Sequence, residues 1–312
     1  MKLHNIHSRE ELIKKRAAET FHRKACSFYR YIHIENPQAF RNHLYLAWYP
    51  LGVLGRIYVS YEGINAQLCV PEYQWDHFAD SLSLFPETQD MFINEALTEG
   101  DQAFLKLDIK VREKIVADGI DGNIFAQSHG GKHVSPIEFH HMLQEEDVIV
   151  VDTRNDYECE IGHFENALLP ESETFRDVLP ELKDKLQTQK DKKILMYCTG
   201  GIRCEKASAY FKNEGFENVF QLQGGIINYL RKTKQQGLAS KFHGSNFVFD
   251  GRMAEPIDHE KLGTCITCQT PYDKHVDCAN TRCHKLIVQC DTCATAYKGC
   301  CSQECANELE TN

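Results

Sequence analysis

The stretch Lys193-Ile194-Leu195-Met196-Tyr197-Cys198-Thr199-Gly200-Gly201-Ile202-Arg203-Cys204-Glu205-Lys206-Ala207-Ser208 decides the fold. Ile194 to Tyr197 reads as a short buried strand. Glu205 to Asn213 predicts a helix with Ala207, Tyr210 and Phe211 on its inner face and Gly215 just past its end. Cys198 therefore falls at a strand-to-helix turn. Gly200 and Gly201 let that turn curl, so that successive backbone N–H groups can point at the thiol. A cysteine at a helix N-terminus beside an arginine has a lowered pKa and is a thiolate near neutral pH. The plain alternative is a buried cysteine followed by a glycine loop. The order strand, Cys, paired Gly, Arg, helix argues instead for an anion-cradling loop. Cys198, Arg203 and Cys204 are the candidate catalytic residues, and Thr199, Gly200, Gly201 and Ile202 the candidate substrate-binding ones. Cys204, six residues on, is either a resolving thiol or a residue the helix carries away from the loop.

Around this stretch, 312 residues suggest two or three domains. A net charge of −10 argues against binding nucleic acid by global charge and leaves room for a local basic face. No apolar run approaches membrane-spanning length, and Met1-Lys2-Leu3-His4-Asn5 has no signal-peptide core, so a cytoplasmic protein with no membrane partner is expected. Fourteen cysteines in such a chain point to metal ligands and reactive thiols more than to disulfides.

Ser8-Arg9-Glu10-Glu11 reads as a capping box opening a helix with Lys14, Lys15 and Arg16 on its surface. A strand over Cys26 to Ile34 and a helix from Asn36-Pro37 follow. Gly55 to Ser60 and Ile64 to Val70 form a hairpin around Tyr61-Glu62-Gly63. A helix from Pro71-Glu72 and a last strand over Phe104 to Val111 complete a βαββαβ order, the split-βαβ or ferredoxin-like arrangement. Phe85 to Gly100 reads as an irregular excursion. Such a unit has an open sheet face that can bind RNA or serve only in packing.

Asp118 to Lys132, with Asp121-Gly122 and Gly130-Gly131, reads as a linker. Ser135-Pro136-Ile137-Glu138 opens a helix, and Asp147 to Asp152 is an apolar strand suited to a buried parallel sheet. Asp152, Arg154 and Glu158 read as fixing the turn after that strand, and His163 as structural. Lys241 to Asp258 is a connector. Nine cysteines then follow residue 264, two pairs of them as Cys-x-x-Cys: Cys265/Cys268 and Cys290/Cys293. Nine sulfurs allow two four-sulfur zinc sites with one of the adjacent Cys300 and Cys301 left over; the expected ligands beside the two pairs are Cys278, Cys283, Cys301 and Cys305. His275 and His284 are alternative ligands. Sequential and interleaved pairings stay equally open.

Cys-x-x-Gly-x-Arg resembles the active-site loop of rhodanese domains, which carry a persulfide sulfur on the cysteine. Asp152-x-Arg154, Glu158 and Gly162-His163-Phe164 to Ala167 resemble the first signature of that family, and Asn218 to Ile226 the last. The whole order resembles the bacterial oxygen-dependent tRNA uridine hydroxylase family: a split-βαβ unit bearing Gly55 to Ala66, the loop Cys198 to Ser208, then a cysteine-rich tail. The resemblance implies an α/β protein with a rhodanese-like parallel-sheet domain. An α+β ferredoxin-like domain precedes it and a zinc-binding tail follows. The implied division is an N-terminal helix over 1–24, an acylphosphatase-like domain over 25–117, the rhodanese domain over 118–237, and connector plus tail over 238–312. The resemblance implies 5-hydroxylation of the tRNA wobble uridine in the anticodon, with molecular oxygen as co-substrate, no organic cofactor, structural zinc, and a sulfur or electron donor as partner. Lys14, Lys15, Arg16, Arg23, Lys24, Arg231, Lys232, Lys234 and Lys241 are expected to form the basic RNA surface. A thiosulfate or protein-persulfide sulfurtransferase and a zinc-bearing interaction module are the competing functions.

Overall fold

The structure, a computed structural model, describes residues 3–120 and 130–310. Asp121-Gly122 of the expected linker lies outside the described residues. Helix α1 (Arg9–Ala17) opens with the expected box: Ser8 accepts from the Glu11 N–H, and the Glu11 side chain accepts from the Ser8 N–H.

The first sheet has five strands in the order β4 (Asn94–Glu95), β1 (Arg23–Tyr31), β3 (Gly63–Pro71), β2 (Leu54–Ser60), β5 (Leu107–Val111). Residues on one side of the pleat are apolar: Cys26 and Phe28, Ile57 and Val59, Ile64, Ala66, Leu68 and Val70. They pack against Phe40, Leu44 and Trp48 of α2 (Pro37–Trp48) and Phe78 of α3 (Trp75–Leu82). Burying each large side chain stabilises the layer by about 1.5–3 kcal/mol. The other side of the pleat is covered by neither of these helices and presents Ser27, Tyr29, Tyr31, Arg56, Tyr58, Asn65 and Gln67 to a cavity.

Here the expected topology needs one correction. The strand that closes the split-βαβ unit beside β1 is the two-residue Asn94–Glu95, antiparallel to Cys26 and Ser27, inside the stretch expected to be irregular. Leu107–Val111 runs parallel to β2 on the opposite edge. Its alternation is that of any edge strand, so its sequence does not say which edge it joins.

The second sheet is fully parallel, in the order β6 (Lys132–Val134), β10 (Asn218–Leu222), β9 (Lys193–Tyr197), β7 (Val148–Asp152). Helix α6 (Phe175–Lys185) and α7 (Ile202–Asn213) cover one face, and α4 (Pro136–Met142) and α8 (Gly225–Gln235) the other, giving two cores. The expected connector is a correction too. Phe242–Phe247 is a strand between Gly162–Phe164 and Ala254–Pro256, with every residue but His243 buried. In the tail, a hairpin (His275–Asp277 with Leu286–Val288) and two short helices (Asp291–Ala296 and Gln303–Glu310) carry the cysteines.

The open face of the first sheet lies against the end of the second. Tyr29 donates to Glu205 (3.0 Å), Asn94 Nδ2 to the Gly224 carbonyl (2.6 Å), and the buried Lys206 ammonium to Glu62 (2.6 Å).

Candidate active site

Cys198 follows strand β9 at its carboxyl end, the position where open α/β sheets hold ligands. Helix α7 begins at Ile202, directly after Gly201, earlier than the sequence periodicity predicts. Gly201 has φ +104°, in the region that favours glycine, and a Cβ there would stand 2.9 Å from the Tyr29 hydroxyl. This conformation turns the Gly201 N–H onto Cys198 Sγ, at 3.1 Å. The N–H groups of Arg203 and Cys204 also point at that sulfur. A second glycine pair locks the loop from behind. Ile226 N–H donates to the Cys198 carbonyl (3.0 Å), and Gly225 leaves no room for a Cβ, which would lie 2.5 Å from the carbonyl oxygens of Cys198 and Thr199.

Cys198 is fully buried. Burial opposes its ionisation, but the Cys204 thiol, the Arg203 guanidinium and the loop N–H groups outweigh it and bring the thiol down to about 6. Cys204 moves the opposite way: burial, then the neighbouring Cys198, hold its thiol well above the usual range. The first helical turn therefore keeps Cys204 facing Cys198, as a protonated donor, with Thr153 Oγ1 3.6 Å from its sulfur.

Arg203 is not a free cation beside the thiolate. Its guanidinium forms a two-pronged pair with the buried Glu158, through Nη1–Oε1 and through Nη2–Oε2 at 2.8 Å, and lies over Phe249. Among the residues read as fixing the turn, Asp152 and Arg154 do that: they form a buried pair (2.6 Å), and Arg154 Nη2 donates to the Gly162 carbonyl. Glu158 fixes it too, accepting from the Asn155 N–H (3.0 Å), and also reaches across to the loop arginine. No local spacing connects residues 158 and 203. His163 pairs in register with His243 and is absent from the cavity wall.

Cys198, Thr199, Gly200, Ile202 and Arg203 line one wall of a cavity of about 950 Å³. Gly201 and Cys204 lie behind that wall. Opposite stand Ser27, Tyr29, Tyr31, Arg56, Tyr58, Asn65 and Gln67 of the first sheet, with Phe92 and Arg112 beside them. Glu205 is shared between these walls, accepting from Tyr29 and bonded to His133 Nε2 (2.8 Å).

Four of the nine residues expected to form the basic RNA surface are paired with acids. Arg16 and Arg23 converge on Glu19, an acid three or four residues away, and Arg23 is buried. Arg231 pairs with Glu95 (3.6 Å) and Lys241 with Glu165 (3.9 Å).

In the tail, Cys265, Cys268, Cys290 and Cys293 converge with their sulfurs within 4.8 Å of one another, and so do Cys278, Cys283, Cys301 and Cys305. The pairing is interleaved, all-sulfur, and Cys300 is the cysteine left over. His275 is buried against Phe247 and Tyr157, and neither it nor His284 joins a set. A tetrahedron with metal–sulfur bonds of ~2.3 Å has edges of ~3.8 Å. Cys268–Cys290 at 3.7 Å, and Cys283–Cys301 and Cys301–Cys305 at 3.6 Å, fit such a metal.

Fold and loop together define a rhodanese-like protein with an intact cysteine cradle. Comparison with known families agrees: residues 135–232 match the Rhodanese-like domain, 23–115 the UPF0176 acylphosphatase like domain, and 243–306 the Rhodanase C-terminal family. The chain is 50% identical over 98% of its length to a tRNA uridine(34) hydroxylase of Leptospira interrogans, covering 84% of that protein. It is 48% identical over 99% of its length to the tRNA uridine(34) hydroxylase of Yersinia enterocolitica, covering 88% of it. The chain belongs to the tRNA uridine(34) hydroxylase family.

Proposed function

We propose that this chain hydroxylates C5 of the wobble uridine of tRNA, with Cys198 as its nucleophile, in the cytoplasm. The observation that carries the reading is the wall opposite the thiolate. A plain sulfurtransferase acting on thiosulfate has no use for a cavity of about 950 Å³ faced by aromatic and amide side chains. An unpaired nucleotide does. The Cys198 thiolate adds to C6 of the uracil ring, and the negative charge that develops on the ring makes C5 a nucleophile toward molecular oxygen. The loop N–H groups stabilise the sulfur anion before attack and again as it leaves. One oxygen atom stays on C5 and the other leaves as water. The balance takes two electrons and two protons from an external donor, and expulsion of Cys198 with loss of the C5 proton restores the ring. Cys204, protonated beside Cys198, supports the thiolate by hydrogen bonding. The domain division given above serves this reading: the acylphosphatase-like unit over 25–117 roofs the rhodanese loop, and the tail over 238–312 is held by two structural zinc ions on the two cysteine sets.

The test compares nucleosides from digested tRNA of a deletion strain carrying the wild-type chain or Cys198→Ser. Only the wild type should restore 5-hydroxyuridine derivatives. Restoration of a thiolated nucleoside instead would select the sulfurtransferase. RNA carrying 5-fluorouridine at the target should trap an adduct on Cys198, and its absence alongside normal turnover would remove the addition step.

A further inference from the structure

The first sheet buries one face under two helices and leaves the other, beyond the edge where β1 meets the cysteine loop, bare to the cavity. Along β1, β2 and β3 the bare face alternates outward as Ser27, Tyr29, Tyr31; Arg56, Tyr58; Asn65, Gln67. That composition suits neither an apolar packing surface nor a free solvent face. It supplies aromatic rings, amides and guanidinium groups on one flat support, the set that single-stranded RNA needs for stacking, edge contacts and phosphates.

Further observations point the same way. Arg56 is exposed, and among the described residues no carboxylate or carbonyl engages its guanidinium. The Arg112 guanidinium lies over the Tyr58 ring at 5.8 Å, which holds a cation and an aromatic ring as one unit. Three acids near this face have partners of their own: Glu205 with Tyr29 and His133, Asp108, the register neighbour of Arg56, with Lys110 (3.0 Å), and Asp118 with Lys114 (2.6 Å). Finally, Asn94 is 3% exposed, and its amide is oriented by donation from Nδ2 to the Gly224 carbonyl, which leaves Oδ1 a buried acceptor without a partner in the cavity wall. Buried polar atoms of this kind normally have a donor, and a nucleobase imide or amino group is one.

We infer that this bare sheet face is the RNA platform of the enzyme, holding the nucleotides that flank the target uridine. The inference rests on the reading that tRNA is the substrate. Geometry assigns the parts. The cysteine loop abuts β1, where Gly200 and Gly201 approach Ser27 and Tyr29. Strand β2 lies two strands further across, and at ~4.8 Å per strand Arg56 and Tyr58 stand ~10 Å from that line. They are too far to touch the ring under attack and well placed for its neighbours: Tyr58 as a stacking surface, Arg56 and Arg112 on phosphates.

The test uses the full chain and an anticodon stem-loop RNA with uridine at the wobble position. Arg56→Gln, Arg112→Gln and their double variant are compared with wild type for RNA affinity at several salt concentrations and for hydroxylation kinetics. Both arginines are exposed, so folding should survive, and melting curves check it. The platform predicts a salt slope smaller by roughly 0.7 per arginine removed. It also predicts a KM raised roughly tenfold in the double variant, with kcat within about twofold, because the interaction is uniform between ground and transition state. Tyr58→Ala should weaken binding without changing the salt slope. Unchanged affinity, slope and KM in the double variant, with wild-type hydroxylation intact, would overturn the platform and leave the hydroxylase reading standing. Variants that bind RNA normally but lose transfer from a protein persulfide would overturn it in favour of a protein partner. If wild type binds the RNA with the predicted salt slopes but yields no 5-hydroxyuridine, the platform stands and the hydroxylase reading falls.

Discussion

Replacing Cys204 by alanine tests how the reactive thiol is ionised. Burial alone would push Cys198 up, and the first group working against it is the Cys204 thiol, followed by Arg203 and the loop N–H groups. A hydrogen bond to a charged acceptor is worth ~1.5–3 kcal/mol, and one pKa unit corresponds to ~1.4 kcal/mol. Losing that donor should therefore raise the Cys198 midpoint from about 6 by ~1–2 units. The sign follows directly: below the midpoint the sulfur is a neutral thiol, so alkylation and turnover should rise with pH through it and level off above. In the alanine variant the whole curve should slide to higher pH. The assay is the rate of iodoacetamide alkylation of the Cys198 peptide against pH, read by mass spectrometry, since the cavity admits so small a reagent. Cys204→Ser keeps an O–H donor and should hold its midpoint near that of wild type. Identical midpoints in the alanine variant and wild type would refute the account. Lost turnover in the serine variant with an unmoved midpoint would mean that Cys204 acts through its sulfur, as a resolving thiol, and not as a donor.

Glu158→Gln should leave the Arg203 guanidinium buried without its counter-charge and cost about 3–5 kcal/mol of stability, measured as a lowered urea midpoint; a midpoint within error of wild type would mean that the pair is dispensable. The interleaved sulfur sets predict that Cys268→Ser and Cys283→Ser each lose one of two zinc ions per chain by elemental analysis, and that the double variant loses both. Loss of both ions from either single change would contradict two separate centres.

Much of the site was legible in the sequence, because it is local. A strand, a cysteine, two glycines, an arginine and a helix are contiguous, and contiguity alone places a thiol against backbone N–H groups. The Ser8 cap and the parallel strand at Asp147 to Asp152 were legible for the same reason. So was the sulfur count in the tail, but not its pairing, because equivalent Cys-x-x-Cys knuckles carry no label for their partners. Chain folding alone joined Cys265 and Cys268 to Cys290 and Cys293. Likewise Glu158 and Arg203 are forty-five residues apart, and only the parallel sheet, which sets β7 beside β9, brings them together. The βαββαβ order announced an open sheet face. What that face confronts was decided by where the two sheets meet, through Tyr29–Glu205, Asn94–Gly224 and Glu62–Lys206. Local chemistry thus made the thiolate, and long-range packing built the chamber in which it acts.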